Sequence, residues 1–306
     1  MRTVVRKSIR MRHYIVRREF STKPEYRATD YYLMDGYNDS NYPDVTPERD
    51  GKRLIVQPNT FNMYCHREPR FYLTVVWNGQ WFKWENRNTN FLYGQPDGGP
   101  THDAPQNGYL NRSRVSLDYI PRDNNHPYRP AIIFRMAEAY LSYAEALNES
   151  SERMSHKQEI LDNLNKIRHR AGIAEYGTGT DENGFTRIKI NFSDQKEVRR
   201  LIHKERRVEF VGEGVRYHDL RRWKTAHYGI GNLNEQGENP DWGVNGPDYG
   251  MNYYGTEYTD QGDNAFFKRT KYMDRVYPRK FYWYPIHQSE IDKDPTLVQG
   301  PFWLGE

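Results

Sequence analysis

Glu205-Arg206-Arg207-Val208-Glu209-Phe210, then Gly212-Glu213-Gly214, then Arg216-Tyr217-His218-Asp219-Leu220-Arg221-Arg222-Trp223-Lys224, is the most informative stretch of this 306-residue sequence. It reads as the end of one helix, a break at two glycines and a short second helix. Val198, Leu201, Ile202 and Val208 supply the helical spacing of the first, and Ser193 stands at its expected N-cap. The dense mixed charge admits three readings. A basic nucleic-acid patch is compromised, because Glu205, Glu209, Glu213 and Asp219 offset the arginines. A glycosidase carboxylate pair is available in type, but neighbouring arginines lower a carboxyl pKa, whereas a general acid needs it raised. The third reading is structural: arginine forks pair with carboxylates and tie helices together. It predicts that Arg206, Glu209, Arg216 and Asp219 form a largely buried, mutually paired set.

Working outward, Ile133, Ala137, Tyr140, Leu141, Ala144 and Leu147 recur at helical spacing, predicting a helix over about 130–148 that starts at Pro130. Ile160, Leu161, Leu164, Ile167 and Ala171 predict a second, with Gly172 as a left-handed stop. Two antiparallel helices with small residues between them resemble one tetratricopeptide-like unit. One such unit cannot bury both faces alone, so an exposed apolar strip is expected on it. Residues 21–130 are punctuated by Gly, Pro, Asn and Asp. Phe71 to Trp77 reads there as the clearest strand, ending on the hairpin signal Asn78-Gly79. The expected fold is mostly α: a tetratricopeptide-like helix pair plus further helices, with long ordered loops and short β-hairpins. The expected organisation is a basic segment at 1–20 and a single domain over 21–306. That domain divides into a loop- and strand-rich ligand region at 21–130, a helical scaffold at 131–224, and aromatic loops with a C-terminal cap at 225–306.

Composition removes several classes. A mean hydropathy of −1.04 is very polar, but Phe, Trp and Tyr make up 15% of the chain, which disordered chains do not carry. No apolar run approaches the roughly 18 residues of a spanning helix. One cysteine, Cys65, excludes an internal disulfide scaffold and a multi-cysteine zinc site. Of 45 basic and 41 acidic residues, seven basic and one acidic fall within residues 1–20, leaving 38 and 40 on a nearly neutral body. Nucleic acid is therefore not the expected partner. The basic start has no apolar run long enough for a secretory signal. Val5, Ile9, Val16 and Phe20 fall roughly on one helical face of it.

The charged stretch closely resembles the SusD-like (RagB-like) outer-membrane nutrient-binding proteins, whose C-terminal half carries E-R-R-x-E-F/L, an E-G turn and R-x-x-D-L-x-R-W. Four other stretches match in order. Glu68-Pro69-Arg70-Phe71-Tyr72 with Asn78-Gly79 resembles D-P-R-F-Y and its turn. Arg135 to Leu141 with Ala144 to Asn148 resembles R-L-A-E-x-Y-L-x-Y-A-E-A. Leu164 to Gly172 resembles L-N-x-I-R-x-R-A-G, and Pro285-Ile286, Glu290-Ile291 and Pro295 to Gln299 resemble the family's terminal motif. His287, Asp294 and Gly300 depart from it, all in a surface turn. Family members begin with a lipoprotein signal, a lipidated cysteine and further tetratricopeptide-like helices. No such motif is read here, and no signal precedes Cys65. The chain therefore resembles the C-terminal half to two thirds of such a protein, an incomplete SusD-like fold.

The resemblance implies non-catalytic capture of a glycan or related nutrient at the cell surface, over a TonB-dependent SusC-like transporter in the outer membrane. Membrane association is implied only through an N-terminal lipid anchor absent from this chain. Sugars stack apolar C–H faces on aromatic rings and pair hydroxyls with amides. Trp77, Trp81, Trp84 and Tyr93, with Asn78, Asn86, Asn88 and Asn90 between them, are accordingly the candidate ligand segment. Trp77 also reads as core, because it ends a strand. A second loop, from Trp242 through Tyr249, Tyr253, Tyr254 and Tyr258, is the weaker candidate. His102, Asp103 and His126 are isolated, so no metal or cofactor is expected, although Asp260, Asp263 and Asn264 are compatible in type with a structural Ca²⁺. The competing readings are a tetratricopeptide-type protein–protein module, using the helix pair as its surface, and a glycoside hydrolase.

Overall fold

The computed structural model describes residues 60–64, 67–82, 85, 87–113, 124, 132–229 and 243–303. Among them are six helices and six short strands. In chain order these are α1 (Pro69–Thr74), β1 (Val75–Trp77), β2 (Trp81–Phe82), β3 (Arg87–Asn88), β4 (Tyr109–Asn111), α2 (Met136–Glu149), α3 (Lys157–Ala171), α4 (Gln195–Glu209), α5 (Val215–Arg222), β5 (Gly246–Gly250), β6 (Thr270–Arg275) and α6 (Gln288–Lys293). The strands make three separate two-stranded ribbons, β1–β4, β2–β3 and β5–β6. The mostly helical, SusD-like architecture expected above is the one found.

α2 packs against both α3 and α4. Its Ala137, Leu141 and Ala144 are buried, as are Ile160, Leu164 and Ile167 of α3 and Val198 and Ile202 of α4. The small residues of α2 allow close approach, as the spacing required. α3 stops where expected: Gly172 takes φ 67° and ψ 36°, and Ile173 N–H returns to the Arg168 carbonyl at 3.1 Å. Two boundaries move. α2 begins at Met136 rather than at Pro130: Arg135, its N-cap, is extended with φ −144° and ψ 156°, and its side chain donates to the Glu209 carbonyl of α4 at 2.9 Å. α4 is capped by Asp194 rather than Ser193, its carboxylate accepting from Lys196 N–H at 2.9 Å and Glu197 N–H at 3.2 Å. An apolar strip is expected on the helix pair; α2 itself exposes Met136 and Tyr143, and Ile132, Ile133 and Phe134 are exposed just ahead of it, Ile133 at 95%. Most of this exposed apolar surface lies on residues 132–134, ahead of α2.

Phe71 to Trp77 is not one strand. Pro69 occupies the first turn of α1, where no N–H is needed, and the strand begins only at Val75. Asn78-Gly79 does form a turn, yet β1 pairs with the distant β4, in register Val75 to Asn111 and Trp77 to Tyr109. β2 pairs with β3. Behind β1 lies the main core: Phe61, Met63, Tyr64, Phe71, Trp77, Phe91, Tyr109, Val208, Met251, Phe266 and Phe267. Phe61 stacks on Phe267 with ring centroids 3.8 Å apart. This aromatic floor carries the loops at 91–101 and 252–266.

The chain divides into two compact units, Met1–Glu213 with Tyr249–Tyr272, and Gly214–Asp248 with Met273–Glu306. The second has its own small core of Leu220, Ala226, Tyr277 and Tyr282. Lys224 Nζ lies 4.8 Å from the Tyr282 ring and 5.0 Å from the Trp283 ring, and Arg221 donates to the Tyr282 carbonyl at 2.7 Å.

Candidate functional site

Two constellations competed for function in the sequence, the arginine–glutamate stretch and the aromatic loops. Glu205 and Glu209 are one turn apart on the buried face of α4. Arg70 of α1 reaches both, 2.7 Å from Glu205 and 3.1 Å from Glu209, while its other edge forks onto Glu68 at 2.6 and 3.1 Å. Arg168 of α3 closes on the second Glu205 oxygen at 2.9 Å, and Arg135 and Arg170 both donate to Glu209. Arg135 also grips Glu213 through two bonds at 2.7 and 2.9 Å. The result is a buried ionic knot joining α1, α3, α4 and the lead-in to α2. The pairing expected among Arg206, Glu209, Arg216 and Asp219 is corrected. Glu209 takes its arginines from three other segments, and Arg206 points toward Ser142 and Glu145 of α2. Arg216 and Asp219 belong to the second unit, where Asp219 pairs with Arg222 at 2.9 Å.

Glu205 lacks the raised pKa of a general acid. Burial pushes the Glu205 carboxyl up, but Arg70 and Arg168 outweigh it and hold the pKa at about 2. Glu205 is therefore a carboxylate at neutral pH with both oxygens occupied, the opposite of a general acid's requirement. Glu68 moves the other way, raised because burial outweighs Arg70.

The aromatic candidates separate by depth. Trp77 has no exposure at all and packs against Phe71 and Tyr72, with centroids 5.5 and 5.3 Å away. It is core, and no sugar can stack on it. Asn78 is also buried, its side-chain oxygen accepting from Phe91 N–H at 2.6 Å, so it anchors the loop rather than a ligand. Trp81 is half-buried on β2, opposite Asn88. Trp84, Asn86, His126 and Trp242 lie outside the described residues.

Tyr93 is half-buried and meets the second aromatic loop. Its centroid lies 6.1 Å from that of Tyr253 and 5.6 Å from that of Tyr254, and the latter two rings stand 5.2 Å apart at 88°. Tyr254 is 70% exposed. The two segments are latched by their backbones, Tyr93 N–H donating to the Gly255 carbonyl at 2.8 Å, and by Tyr253 Oη donating to the Thr101 carbonyl at 3.3 Å. Burial, then the Tyr93 and Tyr254 phenols, raise the Tyr253 pKa, so its hydroxyl stays a neutral donor. Beside this corner Arg87 and Asp97 form a two-pronged pair at 2.7 and 2.9 Å, and Asp97 also accepts from Asn90 N–H. Tyr93 of the stronger sequence candidate and Tyr253 and Tyr254 of the weaker one thus lie together. Sequence reasoning identified Tyr93, Tyr253 and Tyr254 separately. It missed Thr101 and the Gly98-Gly99 approach, whose only signal was a turn-forming run.

A family model described as the SusD family matches residues 18–303. The chain belongs to the SusD family. Two curated relatives from Formosa agariphila, SusD-like protein P25 and SusD-like protein P38, are each 32% identical, over 109 and 103 residues. These matches cover 36% and 34% of this chain but only 18% and 19% of the relatives. Among solved structures, selenomethionine BT4246 superposes with a TM-score of 0.63 at 22% identity, covering 95% of this chain and 46% of its own. A SusD-like protein (BF3747) from Bacteroides fragilis NCTC 9343 gives 0.54 at 24% identity, over 94% of this chain and 51% of its own. The likeness to these structures is one of fold, and the chain spans about half their length.

This SusD-family chain also carries a concavity away from the tyrosine corner. A groove of about 1000 Å³ lies between α3 and the arm at 175–192, lined by Tyr140, Leu161, Lys166, Tyr176, Arg187 and Phe192. Asn165 fixes its wall by exchanging two bonds with the Tyr176 backbone at 2.8 and 2.9 Å. At the position considered for calcium, Asp263 is paired with Lys268 at 2.6 Å. Among the described residues no three His, Cys, Asp or Glu side chains gather as a metal site, and no helix is long and apolar enough to cross a membrane.

Proposed function

We propose that this protein captures a glycan at the cell surface, without chemistry, and delivers it to a TonB-dependent SusC-like transporter in the outer membrane. The tyrosine corner of Tyr93, Tyr253 and Tyr254 carries the reading: three phenol rings from two latched loops, one of them largely exposed, set on a rigid aromatic floor. Rings present faces and edges to sugar C–H groups, and the phenol hydroxyls supply hydrogen bonds. Membership of the SusD family supports the nutrient-binding role and the transporter partnership at the level of the family. The ionised, fully paired Glu205 favours binding over hydrolysis.

Affinity electrophoresis through gels containing laminarin, xylan or pullulan tests the reading. The wild type is retarded by at least one of them, and Tyr254→Ala weakens that retardation roughly tenfold, as loss of one stacked ring would. Trp81→Ala and Trp84→Ala report whether the β2–β3 ribbon extends the site. Unchanged retardation in Tyr254→Ala removes the corner from the site. The groove between α3 and the arm at 175–192 favours a second reading, a protein–protein module. On that reading no polysaccharide retards the chain.

A further inference from the structure

We propose that Gly99 is a positioning residue for the tyrosine corner, and that its missing side chain sets where the Tyr253 ring lies. The inference rests on the glycan reading but is separable from it. A Cβ on Gly99 would stand 2.6 Å from Cζ, 2.7 Å from Oη and 2.9 Å from Cε1 of Tyr253. At such distances something must move. Gly99 does not have a positive φ that would itself demand glycine. The requirement comes from the ring.

The loop under the ring cannot yield. Gly94 N–H donates to the Gly99 carbonyl at 2.7 Å, Gly98 N–H to the Gln95 carbonyl at 3.0 Å, and Asp97 N–H to the Asn90 carbonyl at 3.1 Å. Gly98 is pressed so closely on Leu92 that its own Cβ would fall 1.9 Å from that carbonyl oxygen. The backbone beyond the ring is equally held. Asn252 N–H donates to the Phe266 carbonyl at 2.9 Å and Gly255 N–H to the Asn252 carbonyl at 3.0 Å, while a Cβ on Gly255 would meet Phe266 Cα at 2.4 Å. What moves is the far end of the Tyr253 side chain, a rotation about flexible bonds. That rotation gives up the bond to Thr101 and the edge contacts with Tyr93 and Tyr254. Gly99→Ala therefore disassembles the corner at little cost to the fold.

A double-mutant cycle of Gly99→Ala with Tyr253→Leu tests this, because leucine lacks the atoms that the new methyl would strike. Protein labelled with fluorotyrosine supplies a reading independent of any ligand: the resonance absent in Tyr253→Leu belongs to Tyr253. In Gly99→Ala that resonance shifts, the melting temperature stays within about 2 °C, and retardation by the polysaccharide that slows the wild type falls threefold or more. In the Tyr253→Leu background Gly99→Ala changes retardation no further. An unshifted Tyr253 resonance overturns the proposal, as does an equal loss of retardation in both backgrounds. If no polysaccharide retards the wild type while the resonance still shifts, the glycan reading fails and the positioning of Tyr253 by Gly99 stands.

Discussion

Both carboxylate oxygens of Glu205 face a guanidinium, Arg70 on one side and Arg168 on the other, in a site almost closed to water. Removing the charge takes from buried Arg168 the carboxylate it pairs with and from Arg70 one of its three, and breaking such a set typically costs roughly 3–5 kcal/mol. Glu205→Gln is expected to lower the stability by that amount at neutral pH, read as a fall in the denaturant midpoint. The same residue gives the fold an acid edge. Its carboxyl sits at about 2 in the folded chain against an ordinary 4.5, so its contribution is complete above pH 4.5 and drains away as the pH falls toward 2. That span is worth on the order of 3 kcal/mol. Glu68, raised by burial, works in the opposite sense: the stability it lends is present at low pH and is lost as the pH rises through its folded pKa, which softens the slope. Unfolding free energy measured from pH 6 to pH 2 should therefore fall more steeply in the wild type than in Glu205→Gln. Parallel curves for the two proteins would mean that the pairs with Arg70 and Arg168 are absent in solution.

Among the elements, α3 ends on the αL conformation of Gly172. Alanine at that position pays the left-handed penalty of roughly 1–2 kcal/mol, so Gly172→Ala should lower the melting temperature by several degrees while leaving retardation by polysaccharide unchanged. A melting temperature equal to that of the wild type would show that the stop is made by other contacts. α2, α3 and α4 were legible in the sequence because their buried faces repeat at helical spacing over 14 or 15 residues. α1 was not, since Phe71, Tyr72, Val75 and Val76 have the side chains of a strand and only Pro69 hints at a helix start. The same limit applies to the site. A spacing of four sets Glu205 and Glu209 on one helical face, but nothing in it says that Arg70, Arg135, Arg168 and Arg170 come to meet them. Tyr93 and Tyr253 each looked like a loop aromatic, and only tertiary packing on Phe91, Met251 and Phe266 brings their loops together.

At the scale of the molecule, Ile132, Ile133, Phe134 and Met136 leave an apolar strip in solvent beside the helix pair. Such surface is normally covered by something, and the purified 306-residue chain should sediment as species heavier than its monomer. Ile133→Asp, at a position with no packing to lose, should return it toward the monomer. A wild type that is monodisperse and monomeric would show that the strip is tolerated bare. The ionic knot carries a consequence for the medium in which the protein works. Dissolved electrolyte screens charges across a Debye length of about 8 Å at physiological strength, but only through the water that carries it. Arg199 with Glu149 and Lys268 with Asp263 stand in that water and fade as it turns to brine. Arg70 and its three glutamates do not. Concentrated salt loosens the rim of this molecule and leaves its centre tied.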